Sequence, residues 1–468
     1  MTNKGEDFGE WYNETVDKAN LCDKRYPIKG MNVWTPYGWK IMTTIDSFIR
    51  RDMEATGHGE VCFPLMIPET EFKKEKEHIK GFDEEVYWVT HAGLNPLDVR
   101  LVARPTSETA MYPMFSLWVR SHQDLPLKIF QIVNTFRYET KMTRAFMRVR
   151  EIHFFESHTC HADKEDAERQ IKQDMEIMGS VAKDLCLPHS LLVRTDWDKF
   201  PGAVYTVGID TVMPNGKTLQ IGSIHYYGTN FSEPYNITYE QESGEHTFVH
   251  QTTYGMSERL LGAIIGIHAD DKGLVLPPRI APTEAVIIPI FKKDNEDAVM
   301  AAVMAAADVL TKAGVRTHVD DRDARPGSKY FDWEIKGVPI RLEIGQRDID
   351  NGMVTYVRRD TGEKGTISVG DLADGVKLVM KMISQSMYEK AAVERKKFIQ
   401  EMDSMDVDSI PDGKIISLGW CGNPECGHRF EDKYDMKILG TVYRPDEWKG
   451  RCIVCGKEGK HAYAARTL

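Results

Sequence analysis

The sequence predicts three successive folding units. An α+β domain over residues 1–283 is built on a largely antiparallel sheet, a small α/β domain covers 284–380, and an α/β tail with clustered cysteines covers 381–468. Three observations carry this. Strand-like segments between 99 and 232 are joined by short turns, which suits antiparallel pairing rather than a βαβ array. Leu276-Pro277-Pro278-Arg279-Ile280-Ala281-Pro282 is a proline-rich break, and strand and helix patterns alternate after it. Four of the eight cysteines, Cys421, Cys426, Cys452 and Cys455, crowd into the tail.

Taken in order, Pro36-Tyr37-Gly38 precedes a helical pattern with Ile41, Ile45, Phe48, Ile49 and Met53 on one face, ending near Gly57 and Gly59. Val61 to Pro68 is an extended apolar run that two prolines demote to an edge or irregular strand. Strands are predicted at Val99–Val102, Ile129–Val133 and Arg148–Phe154, with helices at Ser107–Ser121 and Asp163–Leu187. Further strand signals at 203–232 surround the turn Pro214-Asn215-Gly216. The small domain reads as strand Val286–Ile290, helix Asn295–Ala313, strand Val315–Val319, helix Pro326–Lys336 and strand Ile340–Ile344, then a helix near Asp371–Ser386. A separate charged helix, Glu389–Met402, leads into the tail.

At 468 residues the chain buries a large core. No apolar run approaches the roughly 20 residues that span a bilayer. The segment Met1–Asp7 is polar and acidic, unlike a secretory signal, so a cytoplasmic enzyme is expected. A net charge of -11 argues against non-specific coating of nucleic acid.

The chemistry concentrates in two separated words, Phe136-Arg137-Tyr138-Glu139 and Gly255-Met256-Ser257-Glu258-Arg259. Two distant arginines beside strand-like segments can grip one polyphosphate from both ends, because guanidinium is a permanently charged fork of donors. The carboxylate of Glu139 can accept from an exocyclic amine. Together these make a nucleotide site with no glycine-rich phosphate loop.

This arrangement resembles motifs 2 and 3 of the class II aminoacyl-tRNA synthetases. Gly30 through Pro64 looks like motif 1, whose helix and strand pair two subunits. Within the class, Arg104-Pro105-Thr106-Ser107-Glu108, Glu156-Ser157-His158, Gln220 with His225, and Gly337-Val338-Pro339-Ile340-Arg341 are similar to the prolyl-tRNA synthetases. With the tail included, the archaeal and eukaryotic type is the nearest match. The resemblance implies ATP-dependent attachment of proline to tRNA(Pro) through prolyl-adenylate, with Mg²⁺, in a homodimer. It implies Arg137 and Arg259 as the catalytic pair, and Glu139, Arg148, Gln220, Ser257 and Phe82 as further ATP contacts. Phe82 ends His78-Ile79-Lys80-Gly81-Phe82, a loop that closes over the ligands in this family. The proline pocket would comprise Thr106, Glu108, Arg137, Phe154, Glu156, His158 and His225. Anticodon contacts fall at Glu334, Arg341, Arg347 and Asp348, where Arg and carboxylate side chains can read guanine and cytosine edges. Ordinary surface salt bridges are the alternative there.

The sequence departs from the family at Phe154 and Tyr254, where Trp is usual, at Ile224, where Ser is usual, and at Ala145, where Pro is usual. About ninety residues separate His158 from His250, which leaves no room for the large editing insertion of bacterial relatives. A threonyl-type enzyme would carry zinc ligands inside its active site, and that pattern is missing. A synthetase-like tRNA-binding protein that does not charge tRNA would usually lose a motif arginine, and both are present.

In the tail, Cys421-x4-Cys426 and Cys452-x2-Cys455 fit a tetrahedral Zn²⁺ site. Four thiolates leave no open position, so the role is structural. His428 is a substitute ligand and two disulfides are the alternative. Cys160, between His158 and His161, looks like a second metal or thiol site, although the proline pocket explains its neighbours better. Cys22, Cys62, Cys160 and Cys186 are expected to be free, buried thiols. Leu468 differs from the aromatic terminus common among relatives and is assigned no role.

Overall fold

Apolar residues alternating with small or polar ones produce seven strands that form one sheet in the computed structural model, which describes residues 2–74, 82, 84–292, 294–443 and 448–468. They are β1 (Gly59–Glu60), β2 (Leu127–Phe136), β3 (Glu151–His161), β4 (Ser190–Val193), β5 (Tyr205–Val212), β6 (Thr218–Gly228) and β7 (His250–Ser257). Their order is β4-β5-β6-β7-β3-β2-β1. Neighbours are antiparallel except β1, which runs parallel to β2 at the edge. The predicted strand at Arg148–Phe154 begins only at Glu151. Arg148 instead closes a turn, exchanging main-chain hydrogen bonds with Arg144 at 2.8 and 2.9 Å.

Helices cover one face of this sheet. They are α1 (Phe8–Lys18), α2 (Pro36–Ala55), α4 (Lys164–Asp184) and α5 (Arg259–His268); α3 (Glu108–Trp118) belongs to a second, smaller cluster. Asp7, Thr35 and Asp163 cap α1, α2 and α4 with side-chain acceptors, and Pro36 occupies the first turn of α2. Trp11, Ile45, Met53, Met178, Ile209, Ile221, Tyr254 and Leu261 are buried together between helices and sheet. Each such side chain contributes about 1.5–3 kcal/mol on burial.

The small domain carries β8 (Ala285–Ile290), α6 (Glu296–Lys312), β9 (Thr317–Val319), α7 (Pro326–Lys336), β10 (Ile340–Gly345), β11 (Met353–Arg358) and β12 (Lys364–Ser368). The strands pair as β9-β8-β10-β11-β12, the first three parallel. Gly337 ends α7 in the left-handed conformation at φ 71°. The two helices predicted around 371–402 are one, α8 (Leu372–Phe398). No Gly or Pro interrupts it after Gly375, and Val376, Met380, Ile383, Met387 and Ala391 continue a single buried stripe.

The tail folds as β13 (Ile399–Met402), β14 (Ile415–Trp420), α9 (Pro424–Tyr434), β15 (Lys437–Val442) and β16 (Glu458–Ala465). Its strands extend the main sheet as β13-β14-β16-β15-β4. The junction is Thr441 paired with Val193 and Val442 with Leu192. Of the scattered cysteines, Cys22, Cys160 and Cys186 are buried, but Cys62 is exposed. Among the described residues no helix is long and apolar enough to cross a membrane.

Asp174 on α4 is 1% exposed and accepts from Gln170 Nε2 at 2.8 Å. Burial pushes its carboxyl up to about 7. A carboxyl raised on folding favours the native state below its unfolded value of 3.8, and that contribution is lost as pH rises towards 7. Asp174→Asn should therefore gain stability relative to the parent between pH 4 and about 7 and level off above. Urea midpoints of the two proteins across this range test it, and a constant difference rejects it.

Candidate functional site

A cavity of about 410 Å³ opens over β3, β5, β6 and β7. It gathers Phe82, Thr106, Glu108, Arg137, Glu139, Arg148, Phe154, Gln220, His225, Ser257 and Arg259 from positions spread over 178 residues of chain. Residues 78–81 of the loop before Phe82 lie outside the described residues.

The three arginines are held mostly by main-chain oxygens. Arg137 follows β2, donates from Nε to Pro105 O at 3.1 Å, and lies 5.2 Å over the Phe82 ring. Arg259 opens α5 and donates to Met147 O at 2.8 Å and to Gln220 O at 3.3 Å. Arg148 meets Glu139 at 3.3 Å and donates to Leu468 O at 3.0 Å. Burial lowers the Arg137 pKa, opposed by Glu85, Glu108 and Glu156. Burial, and then the nearby Arg137 and Arg148, push Arg259 down to about 10. Arg137, Arg148 and Arg259 share a desolvated space, an arrangement that favours a polyanionic guest.

On another wall, Glu108 accepts from Tyr227 Oη at 2.7 Å and Thr106 Oγ1 at 2.6 Å. Phe154 stands opposite Gly255, where a Cβ would come within 3.0 Å of its ring. His225 bonds Thr206 Oγ1 at 2.9 Å and Ser223 Oγ at 3.0 Å. Burial, with His158, Arg137 and Arg194 adding to it, pushes His225 down to about 3, so the ring is neutral.

Glu156 and His158 do not line the cavity; both side chains are wholly buried beneath it and meet at 3.2 Å. Burial raises the Glu156 carboxyl, but bonds from His158, Ser107 and Gln131 more than reverse this, holding it at about 2. Ser107 N and Gln131 Nε2 donate to it at 3.1 and 2.9 Å. As a buried ionised group it fixes the segment that presents Thr106 and Glu108.

Several lining residues escape the sequence reading. Arg194 ends a strand with no motif around it. Its guanidinium bonds Asp210 Oδ1 at 2.8 Å, Gln220 Oε1 at 3.1 Å and Leu439 O of the tail at 2.7 Å. The available signal is Gly208 in the interior of a strand, which marks a close approach. Phe200 packs 4.6 Å from His225 in a Pro-Gly turn, Phe200-Pro201-Gly202. Asp46, which does not line the cavity, also escapes the sequence reading. Its carboxylate lies 3.0 Å from His153 Nε2, and His153 N donates to Glu258 Oε2 at 2.8 Å, tying α2 to the residue before Arg259.

In the small domain, Arg341 meets Glu334 at 3.3 Å and Glu343 at 3.1 Å. Asp348 accepts from Gly345 N at 2.9 Å and Thr355 Oγ1 at 2.7 Å, which closes a short helix that also carries Arg347. In the tail the Cys421, Cys426, Cys452 and Cys455 sulfurs lie within 4.8 Å of one another, with Cys421 and Cys455 at 3.7 Å. A tetrahedron of thiolates at about 2.3 Å from Zn²⁺ has edges of roughly 3.8 Å, so the donor set fits. His428 is outside this cluster and packs on Trp197 at 4.3 Å. Cys160 belongs to no metal-like cluster among the described residues.

A methyl group at Gly208 would stand 2.1 Å from Arg194 Cζ. Gly208→Ala should displace that guanidinium from Asp210 and cost about 3–5 kcal/mol, the range for breaking a buried ion pair. Chemical denaturation measures this, and an unchanged midpoint rejects it.

Comparison with known proteins agrees with this geometry. Residues 87–268 match the model for the tRNA synthetase class II core domain (G, H, P, S and T), 284–378 the anticodon binding domain, and 407–467 the prolyl-tRNA synthetase C-terminal domain. The chain is 55% identical to a proline–tRNA ligase of Thermococcus kodakarensis over 99% of this chain and 98% of the relative. It is 50% identical to one of Thermoplasma acidophilum over the full length of both. A solved structure, Giardia lamblia prolyl-tRNA synthetase in complex with prolyl-adenylate, superposes with a TM-score of 0.94 at 37% identity, covering 98% of each chain. This chain belongs to the prolyl-tRNA synthetases, a family of class II aminoacyl-tRNA synthetases.

Proposed function

We propose that the cavity joins proline to tRNA(Pro) in two steps, using ATP, and that the convergence of Arg137, Arg148 and Arg259 beside Glu108 carries this reading. Proline carboxylate attacks the α-phosphate and pyrophosphate leaves, giving prolyl-adenylate. The terminal hydroxyl of the tRNA then attacks the prolyl carbonyl, forming the ester as AMP leaves.

Arg137 bridges the carboxylate and the α-phosphate, which otherwise repel. Arg148 and Arg259 hold the bent triphosphate, and Arg259 stacks on adenine. Glu139 accepts from the adenine amine, while Gln220 and Ser257 face the nucleoside. Glu108 has lone pairs left after its two hydroxyl bonds and receives the proline ammonium. Phe154 and neutral His225 form the flat wall against the ring, and Phe82 covers Arg137. Glu156 and His158 act from below as supports. No protein base is needed, because positioning and charge stabilisation supply the rate.

Mg²⁺ enters with ATP as part of the substrate. The only cluster of metal-type donors among the described residues is the cysteine set, which would hold a structural Zn²⁺. The small domain takes the anticodon, with Glu334 and Arg341 as contacts and Arg347 and Asp348 on the adjoining short helix. The exposed apolar side chains of Tyr26, Ile28, Val33 and Trp39 support a homodimer across this part of the chain. The enzyme works in the cytoplasm.

Pyrophosphate exchange with each of the twenty amino acids tests the reaction. Proline alone should support exchange, and exchange only with another amino acid rejects the reading. Arg137→Ala should lower proline-dependent exchange by at least about 10²–10³-fold, the scale of losing one preorganised donor; a near-parental rate removes Arg137 from its role. Native mass spectrometry should find two chains carrying one zinc each, and a single, metal-free, folded chain overturns both assignments.

A further inference from the structure

A second cavity, of about 700 Å³, shares no lining residue with the synthetic site. It is enclosed by the N-terminal segment at Lys4, the end of β5 at Val212 and Pro214, the stretch from Ile267 to Val275 at the end of α5, the turn Asp360–Thr361 of the small domain, and α8 from Ser386 to Phe398. Its volume lies in the range of small-molecule sites, which favour domain junctions of this kind.

Its walls combine apolar surface with unmatched positive charge. Ile267, Val275, Met387, Ala391 and Phe398 supply the apolar part. Every carboxylate on the cavity already has a partner. Asp270 meets Arg359 at 2.6 Å, Asp360 meets Arg358 at 2.7 Å, Glu394 meets Lys397 at 2.5 Å, and Asp271 accepts from Lys4 N at 3.1 Å. The cations are left over. Lys390 has no ion pair among the described residues. Arg395 donates to Ser190 Oγ, and its Nε is buried with no acceptor. Lys4 Nζ donates to the main-chain oxygens of Ile267 and Ala269, at 3.1 and 2.6 Å, and lies 4.7 Å over the Trp11 ring. His268, the remaining basic group on the wall, bonds Cys186 O at 2.9 Å, and burial keeps it neutral. Burial also pushes the Lys4 ammonium down to about 8, and the nearby Lys390 adds to this against the opposing pull of Asp270 and Asp271.

We propose that this cavity binds a small anion with an apolar body, its carboxylate or phosphate on Lys390, Arg395 and Lys4 and its body against Met387, Ala391 and Phe398. The ligand touches the first domain, the small domain and the helix that joins the latter to the tail. Occupancy therefore favours one mutual arrangement of the domains, and by linkage that arrangement favours occupancy.

Calorimetric titration of the full chain with octanoate and with octyl phosphate tests this, with the synthetic site blocked by a prolyl-adenylate sulfamate analogue. One molecule per chain should bind with a Kd below about 1 mM, and the tighter of the two names the headgroup. Lys390→Glu should weaken binding by at least about tenfold by reversing a charge at the headgroup. Ala391→Trp should abolish it by filling the apolar end. Both variants should keep the parental rate of proline-dependent pyrophosphate exchange, which separates this cavity from the synthetic one. Failure of the parent to bind either anion overturns the proposal, and so does binding that neither variant weakens.

Discussion

Four guanidinium groups line one cavity, and most of what surrounds Arg137, Arg148 and Arg259 exists to hold them there. Their fixed partners are chiefly carbonyl oxygens, of Pro105, Met147 and Gln220. A carbonyl orients a guanidinium without neutralising it. Of these three, only Arg148 meets a side-chain carboxylate among the described residues, Glu139 at 3.3 Å. The guanidinium groups are thus held in place by the protein alone, as the proposed grip on phosphate requires.

That arrangement depends on elements distant in sequence. Strands β3 and β7 pair residue for residue from His161 with His250 to Phe154 with Ser257, which sets Phe154 against Gly255 and delivers Arg259 to the cavity rim. Glu258 receives the His153 N–H where the ladder ends, and Asp46 on α2 meets the His153 ring. From the other side the tail adds strands to the sheet, and through Arg194 its Leu439 carbonyl joins the hydrogen-bond set that includes Gln220. Leu468, which has no role by sequence pattern, closes the set at Arg148.

Much of this was legible from the chain. The order of helix and strand in the small domain follows from period and punctuation, and α7 was placed over Pro326–Lys336 as observed. The arginine words and the four cysteines identified two sites because their chemistry demands those residue types. Failures have specific causes. Helix α8 reads as two because polar Ser384-Gln385-Ser386 looks like a break, yet the buried stripe runs through it. Arg148 reads as strand because its neighbours alternate, but it closes a turn. Glu156 and His158 lie on the same strand as Phe154, which does line the cavity, and sequence spacing does not distinguish a wall from what lies under it.

The sequence by itself determined the chemical inventory: which donors, which carboxylates, which thiolates, and the family order in which they stand. Those are properties of residue types and local words. Only the tertiary structure decided which of them face a common space, that the tail is hydrogen-bonded into the main sheet, and that a second cavity carries positive charge without counterions. These depend on which distant segments meet, and neither hydrophobic period nor motif spacing encodes where a long-range contact leaves a charge unpaired.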